Sequence, residues 1–347
     1  MARRRRNTRK KKGSSAAGTL LAILFVLLIG AAGAGVWLAL VPFGPASETF
    51  VELAPGSSAT RIGEQLESAG VVRSRFAFDL LRLLKRGTLR AGEYRFDHPA
   101  PLTEVYARLV RGDVFTRAVT FPEGESIFEI AARLEQAGLG PRQGFLDAAV
   151  SQVNLVADLD PRARSLEGYL FPDTYRFARK ATPGQICAVM VRRFRTAAAQ
   201  LGLKENLHRV VTMASLVEKE TAIDAERPLV ASVMENRLSK NMPLMTDPAV
   251  IYGLDLAGEW RGAIYQSDLK RDTVYNTYLH TGLPPGPVAN PGLHSLRAAM
   301  APASTGYLYF VAAGANPQGR SLFAATIDEH ARNVSGYRHA VKKAGRR

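Results

Sequence analysis

The sequence feature that most constrains this chain is a run of 26 uncharged residues close to its N-terminus. Residues 16–41 read AAGTLLAILFVLLIGAAGAGVWLALV, which is long enough for a helix to cross a lipid bilayer with some tilt. Residues 1–12 carry eight positive charges and no acidic residue, and such an excess of Lys and Arg marks the cytoplasmic side of a membrane. We therefore predict a basic cytoplasmic tail over residues 1–14 and a transmembrane helix over residues 15–42.

A cleaved signal peptide is the alternative interpretation of the apolar run, with a weak cleavage site near Ala31. The apolar region of a signal peptide is normally shorter than this one. An uncleaved helix predicts a single-pass protein of the cell inner (cytoplasmic) membrane. Its N-terminus would be cytoplasmic and its body periplasmic or otherwise extracytoplasmic.

The net charge of +15 would suggest a nucleic-acid partner if it were spread over the body of the protein. Residues 1–12 and 338–347 account for eight and five of these charges, which leaves only +2 for the residues between them. We therefore predict no nucleic-acid partner. Cys187 is the only cysteine, so no internal disulfide can form and the exported body has to be stabilised by its core.

A weak internal repeat appears at an offset of 68 residues. The matching residues are Val51, Gly56, Ile62, Leu66, Ala69 and Gly70 in the first copy, and Val119, Gly124, Ile130, Leu134, Ala137 and Gly138 in the second. Each copy is typical of a short strand, a turn, an amphipathic helix that ends at Ala-Gly, and a further helix. This pattern predicts a small β-α repeat region over residues 48–155.

The composition changes at about residue 160, and a second domain is predicted over residues 160–345. Helical patterns cover residues 183–201, 205–222 and 226–241. Two long segments, residues 244–253 and 275–292, look irregular but are rich in Tyr, Leu and Ile. Long loops inside a compact domain are usually functional, so we expect these two segments to form the walls of a cleft. The predicted fold class is α+β, with the N-terminal helix, the β-α module and a mixed α+β domain in that order.

The segment MASLVEKETA, residues 213–222, places two glutamates around a lysine directly after an apolar run. In a helix Glu218 and Glu220 would lie about 200° apart and could not share one face. Glu220 follows Leu216 by four residues and Val217 by three, which places it in the apolar stripe, whereas Glu218 lies on the opposite side. An inward-facing glutamate is either held in an ion pair or is a desolvated acid whose raised pKa suits proton transfer.

The residues that several other chemistries need are missing. The six histidines show no metal-ligand spacing, and the sequence contains no nucleophile elbow, phosphate-binding loop or dinucleotide fingerprint. We therefore predict no metal and no cofactor. Carboxylate chemistry in an aromatic- and amide-rich cleft remains, and it is typical of glycan cleavage, in which a protonated acid assists the leaving oxygen.

The chain resembles the endolytic murein transglycosylase family, which comprises membrane-anchored bacterial enzymes that cut peptidoglycan glycan strands internally. The resemblance is carried by the segments AGEYRF, LEGYLFPDTY, VTMASLVEKETA, ERPLVASVMENRL, TDPAVIYG, YNTYLHTGLPPGPVANPG and YLYFVA, in this order. The second glutamate of the E-K-E-T motif is catalytic in that family and corresponds to Glu220. The resemblance implies cleavage between MurNAc and GlcNAc inside nascent strands, with 1,6-anhydroMurNAc ends as products and strand elongation terminated.

The resemblance also implies that residues 48–155 form a LysM-like module that binds peptidoglycan. Implied partners are the glycan strands, the lipid bilayer through the N-terminal helix, and peptidoglycan synthases. Further substrate-binding candidates in matching motifs are Glu218, Glu167, Asp247, Tyr252, Asn276 and Tyr278. Glu218 is expected on the outer face, where it would orient a loop or pair with a basic residue, and Asp247 either sets a turn before Pro248 or belongs to the site.

Two other functions stay open at this point. A muramidase would use the same cleft with Asp247 as a second carboxylate. A non-catalytic cell-wall scaffold would keep the module and lose the acid, and the intact E-K-E-T stretch argues against it.

Overall fold

A computed structural model describes residues 15–315 and 319–344 of the chain, and the predicted basic tail over residues 1–14 lies outside the described residues. The chain divides between Thr116 and Arg117 into two compact units. Both units combine helices with two-stranded antiparallel sheets. The predicted α+β fold class is therefore confirmed.

The first unit begins with the apolar helix that the sequence predicts. Helix α1 covers Ser15–Leu40, and its segment Gly18–Leu40 is long and apolar enough to cross a membrane. The elements that follow are β1 (Thr49–Leu53), α2 (Ala59–Ser68), α3 (Arg75–Lys85), β2 (Gly92–Phe96) and α4 (Leu102–Arg111). Strand β1 pairs with β2 so that Val51 lies opposite Tyr94. Both of these side chains are buried in a small core with helices α2, α3 and α4.

The second unit is larger and mostly helical. Its elements are β3 (Arg117–Thr120), α5 (Ile127–Gln136), α6 (Arg142–Ser151), β4 (Thr174–Phe177), α7 (Pro183–Leu201), α8 (Leu207–Glu220), α9 (Arg227–Ser239), α10 (Asp247–Leu256), α11 (Leu293–Met300), β5 (Tyr309–Ala312), β6 (Ser321–Ala324) and α12 (Ile327–Ala344). Helix α8 lies at the centre of this unit, since every residue from Val211 to Val217 is buried. An enclosed helix of this kind holds its last residues in a fixed position.

The two copies of the repeat share one order of elements. Each copy runs strand, turn, helix and helix, and the turn glycines Gly56 and Gly124 both have the left-handed φ that glycine favours. The strand of each copy pairs with a later Tyr-Arg-Phe strand, with Val51 opposite Tyr94 and Val119 opposite Tyr175. The predicted repeat is thus a structural one.

The structure separates these two copies, whereas the sequence analysis placed a single boundary between residues 155 and 160. The physical reason is the partner strand of the second copy, β4, which comes from residues 174–177. The sheet between β3 and β4 therefore ties the second copy to the larger unit, whose core includes Val119 and Tyr175.

One predicted loop is a helix. Residues 247–256 form α10, although the Asp-Pro pair at its start looked like a turn. A proline is tolerated in the first turn of a helix because the N–H groups there have no partner within the helix. An aspartate in the same turn interacts favourably with the positive end of the helix dipole. The other predicted loop, residues 275–292, contains no regular helix or strand.

Candidate active site

Glu220 is the last residue of helix α8 and lines a cavity of about 500 Å³. The other polar residues of the cavity wall are Lys219, Arg237, Thr246, Asp247, Tyr278, Tyr309 and His330. Apolar side chains from helices α9 and α12 and from strand β5 complete the wall. Residues 244–248 and Tyr278 belong to the two segments predicted to form a cleft, and both segments do line this cavity.

The carboxyl group of Glu220 is poised for proton transfer. Its pKa is raised to about 7, chiefly by burial and also by the negative charge of Asp247, while the positive charge of Arg237 opposes both effects. Within residues 15–315 and 319–344, no hydrogen bond or ion pair engages this carboxyl. A carboxyl that is partly desolvated and unpartnered can hold a proton near neutral pH and release it to a molecule in the cavity.

Arg237 is fixed in the cavity wall by backbone carbonyls. Its Nε donates to the Leu308 carbonyl at 2.7 Å, and its Nη1 donates to the Leu244 carbonyl at 2.8 Å. The guanidinium also lies over the ring of Tyr309, 5.3 Å from its centroid. Because these contacts leave the positive charge without a bound carboxylate, that charge remains available to the Glu220 carboxylate and to a substrate.

Asp247 and Tyr278 form a pair on the same cavity wall. The Tyr278 hydroxyl donates to Asp247 Oδ1 at 2.6 Å. Asp247 is exposed at the start of α10, so this hydrogen bond orients a carboxylate whose charge acts on Glu220. The structure therefore brings together three of the residues selected from the sequence, namely Glu220, Asp247 and Tyr278.

Glu218 does not lie on an exposed face, and that part of the prediction was wrong. Its side chain is only 4 % exposed, because Arg227 Nη2 donates to its Oε1 at 2.8 Å and the Gly292 N–H donates to its Oε2 at 2.8 Å. The assignment from helical phase assumed one buried face, whereas neighbouring elements surround α8. The predicted pairing with a basic residue agrees with the Arg227 contact.

Glu167 and Tyr252 are buried together, and neither lines the cavity of Glu220. The Ile127 N–H and the Asn290 side-chain amide donate to the Glu167 carboxyl at 2.9 and 2.8 Å, and the Tyr252 hydroxyl also bonds to it. Burial raises the pKa of Glu167 to about 8, although the hydrogen bonds that the carboxyl accepts oppose this rise. These contacts connect the turn before α5 to the segment around Asn290.

Asn276 is fully buried and organises the loop that carries Tyr278. Its amide donates to the carbonyls of Leu269 and Arg271, and its Oδ1 accepts from the Tyr278 N–H at 3.0 Å. Asn276 therefore positions Tyr278 and does not line either cavity beside Lys219.

A second cavity of about 380 Å³ adjoins the first, and the two share Lys219 and Pro248 in their walls. Its lining includes the aromatic side chains Phe128, Tyr252 and Trp260 and the charged side chains Glu129, Arg142 and Asp255. Tyr252 is thus the one other candidate from the sequence that lines either of these two cavities. The two cavities thus share part of their walls next to Glu220.

Several residues of the site escaped sequence reasoning. Arg237, Tyr309 and His330 all line the main cavity, and the rings of Tyr309 and His330 stack with centroids 5.1 Å apart. Met245 lines the same cavity. Its backbone φ of 53° is in the left-handed region, which residues other than glycine rarely adopt. No local sequence pattern around Arg237 indicates that its side chain lines the site.

A site with one unpartnered, raised-pKa carboxyl in a polar cavity is typical of an enzyme that uses acid–base catalysis. The sequence matches the YceG-like family over residues 51–336, and the chain belongs to this family. It is 32 % identical over 311 residues to the endolytic murein transglycosylase of Bacillus subtilis strain 168, covering 81 % of this chain and 82 % of that protein.

Two further relatives support this assignment. The endolytic murein transglycosylase of Streptococcus pneumoniae serotype 2 is 29 % identical over 331 residues, covering 85 % of this chain and 60 % of that longer protein. A crystal structure of a yceG-like protein from Listeria monocytogenes superposes with a TM-score of 0.54 at 30 % identity, covering 83 % of this chain and 99 % of that one. The family predicted from the sequence motifs is therefore confirmed.

The charges around Glu220 lead to a prediction about pH. If Glu220 must be protonated to start the reaction, the wild-type rate should fall as the pH rises through about 7. Asp247→Asn removes the negative charge that raises the pKa of Glu220, so this decline should move to lower pH. Arg237→Gln removes the opposing positive charge and should move it to higher pH. The pH–rate profiles of both variants provide the measurement, and shifts in the same direction would contradict this electrostatic account.

Proposed function

We propose that the protein is an endolytic peptidoglycan transglycosylase that cleaves the bond between MurNAc and GlcNAc. The observation that carries the proposal is the unpartnered Glu220 carboxyl, with its pKa raised to about 7, in the wall of a polar cavity. The B. subtilis and S. pneumoniae relatives, both named endolytic murein transglycosylases, support the choice of substrate.

In the proposed mechanism Glu220 acts twice. Its protonated carboxyl donates a proton to the glycosidic oxygen as the bond to the muramyl C1 breaks. The resulting carboxylate then accepts the proton of the muramyl C6 hydroxyl, whose oxygen attacks C1 and closes a 1,6-anhydro ring. The proton is thereby returned to Glu220, and no water is consumed.

The charges of the site suit both halves of this cycle. Asp247 favours the protonated form of Glu220 before cleavage, and Arg237 favours the carboxylate after the proton has left. The aromatic side chains of the adjoining cavity, Phe128, Tyr252 and Trp260, provide faces on which sugar rings of the same strand can pack.

Mass spectrometry of the products tests this proposal against its alternatives. Digestion of peptidoglycan by the purified protein should leave 1,6-anhydroMurNAc ends. A muramidase that uses Asp247 as its second carboxylate would leave reducing MurNAc ends instead, and a non-catalytic scaffold would leave the strands intact. Either of those results would overturn the transglycosylase mechanism.

The proposed location is the cell inner (cytoplasmic) membrane. Helix α1 contains a 23-residue apolar segment near the N-terminus, and the eight positive charges before it favour a cytoplasmic N-terminus. We expect a reporter enzyme fused after Arg347 to be active only outside the cytoplasm. A fusion that is active only in the cytoplasm would contradict this topology.

The LysM-like role of residues 48–155 is also a proposal. Its support is the pair of small β-α modules with the same order of elements, one in each unit. Residues 44–116, expressed alone and shown by circular dichroism to be folded, should sediment with purified sacculi. If this fragment folds and stays in the supernatant, the first copy does not bind peptidoglycan.

Peptidoglycan synthases are the proposed protein partners, because an enzyme that terminates nascent strands must act where those strands are made. Crosslinking in intact cells should recover a synthase with the wild-type chain. If a crosslinker incorporated at many exposed positions recovers no synthase, this result would argue against such a complex.

A further inference from the structure

Helix α3 in the first unit has two apolar faces. Phe78 and Leu81 point into the core of the unit, as expected for an amphipathic helix. A second stripe is exposed to solvent: Phe76, Leu80, Leu83 and Leu84 are 70 %, 54 %, 68 % and 72 % exposed. Their spacing of four, seven and eight residues from Phe76 places all four on one side of the helix. Large apolar side chains exposed together in this way mark an interaction surface.

The exposed stripe lies beside the C-terminal half of the apolar helix α1. An apolar groove of about 650 Å³ is lined on one side by seven residues of α1 between Ala31 and Ala39, and on the other by residues of α3 that include Phe76, Leu80 and Leu84. Ser74 is the only residue with a polar side chain in this lining. The same groove therefore joins the exposed stripe of α3 to the surface of the proposed membrane span.

The length of α1 places this groove inside the bilayer. The 23 residues Gly18–Leu40 extend about 35 Å as a helix, against about 30 Å for the hydrocarbon core. With the N-terminus in the cytoplasm, residues 31–39 would lie in the outer half of that core. Side chains of α3 that line a groove with them must then reach the outer leaflet as well.

The junction between α1 and the rest of the unit fixes this arrangement. The Arg73 guanidinium lies over the Trp37 ring at 4.2 Å and over the Phe43 ring at 5.0 Å, and its Nη2 donates to the Pro42 carbonyl at 3.1 Å. A tryptophan near the end of a span is typical of the membrane–water interface.

We propose that α3 is an interfacial helix that inserts its Phe76–Leu84 stripe into the outer leaflet beside α1, so that lipid acyl chains fill the groove. The occupant is lipid because the groove is apolar and continuous with the membrane span. The first unit would then be held against the bilayer by two elements, which restricts how it tilts on the anchor. This inference rests on the proposed membrane location and is independent of the chemistry at Glu220.

The test uses the full chain, reconstituted as one copy per lipid nanodisc, with an environment-sensitive fluorophore on a single introduced cysteine. Cys187 can stay in place because it is fully buried, and burial raises the pKa of its thiol to about 12. The labelled variants are Leu83→Cys on the stripe, Arg82→Cys on another face of the same helix, and Leu27→Cys within the span.

The Leu83 probe should emit at shorter wavelength than the Arg82 probe and lose its emission when doxyl-labelled lipids are included. The Arg82 probe should instead be quenched by aqueous iodide. If the Leu83 probe matches the Arg82 probe while the Leu27 probe is quenched by lipid, the interfacial helix is wrong and the anchor stands. If the Leu27 probe is also open to iodide, the membrane location and this inference both fail, whatever the enzyme activity. If the Leu83 probe is buried only when a nanodisc holds several copies of the protein, the stripe contacts a second copy of the chain. That result would likewise overturn the lipid proposal.

Discussion

Glu220→Gln is expected to lower the rate of anhydromuropeptide release by about 10²–10⁴-fold, the usual contribution of a general acid–base group. Glutamine keeps the shape of glutamate but carries no proton that titrates, and in the proposed mechanism one residue serves both proton transfers. The variant should fold normally, with a melting temperature equal to or slightly above that of the wild type. The reason is that a neutral amide replaces a carboxyl that burial disfavours in its charged form.

Glu235→Gln is a matched control for this experiment. Glu235 is a glutamate on helix α9 whose carboxylate pairs with Arg209 at 2.5 Å near the surface. The control loses one carboxylate outside both cavities and should keep the wild-type rate. A Glu220→Gln protein that is folded and cleaves strands at the wild-type rate would exclude Glu220 as the catalytic acid.

The sequence alone could predict the elements that have strong local patterns. The helix predicted over residues 183–201 matches α7, Pro183–Leu201, because a capping threonine, a proline in the first turn and a terminal glycine mark its ends. Helical phase could not single out Glu220 in the same way, since every residue of α8 from Val211 to Val217 is buried.

The remainder of the site depends on contacts between distant parts of the chain. Arg237 is fixed by the carbonyl of Leu308, 71 residues away, and His330 reaches the cavity from the last helix. No local pattern reports such pairings. The misplacement of Glu218 has the same origin, because the Gly292 N–H that binds it lies 74 residues further along the chain.

The largest effect on stability is expected for the ion pair between Glu218 and Arg227. Both side chains are almost fully buried, at 4 % and 6 % exposure, with Arg227 Nη2 and Glu218 Oε1 at 2.8 Å. Removing one partner of a buried pair typically costs about 3–5 kcal/mol, because the other charge is left without compensation. Arg227 also pairs with Asp224 and lies 3.8 Å from Glu123, so its loss leaves three carboxylates close together.

We therefore expect Arg227→Met to lower the melting temperature of the protein by roughly 10 °C, given about 2–4 °C per kcal/mol for a unit of this size. Glu218→Ala should be destabilising for the same reason, and the double variant should lose less than the sum of the two single losses. Glu235→Ala, which breaks a more exposed pair, should cost less than about 1 kcal/mol. Calorimetry of the four variants measures these differences.

These two experiments separate the roles of the neighbouring glutamates. At a temperature where it is still folded, Glu218→Ala should retain far more activity than Glu220→Gln, because Glu218 contacts Arg227 and the Gly292 backbone and does not line the cavity. Glu220, by contrast, should matter for activity and not for stability, since no hydrogen bond in the described part of the chain depends on its carboxyl. If Arg227→Met melts at the wild-type temperature, or if Glu218→Ala is as inactive as Glu220→Gln while remaining folded, this division between a structural and a catalytic glutamate is wrong.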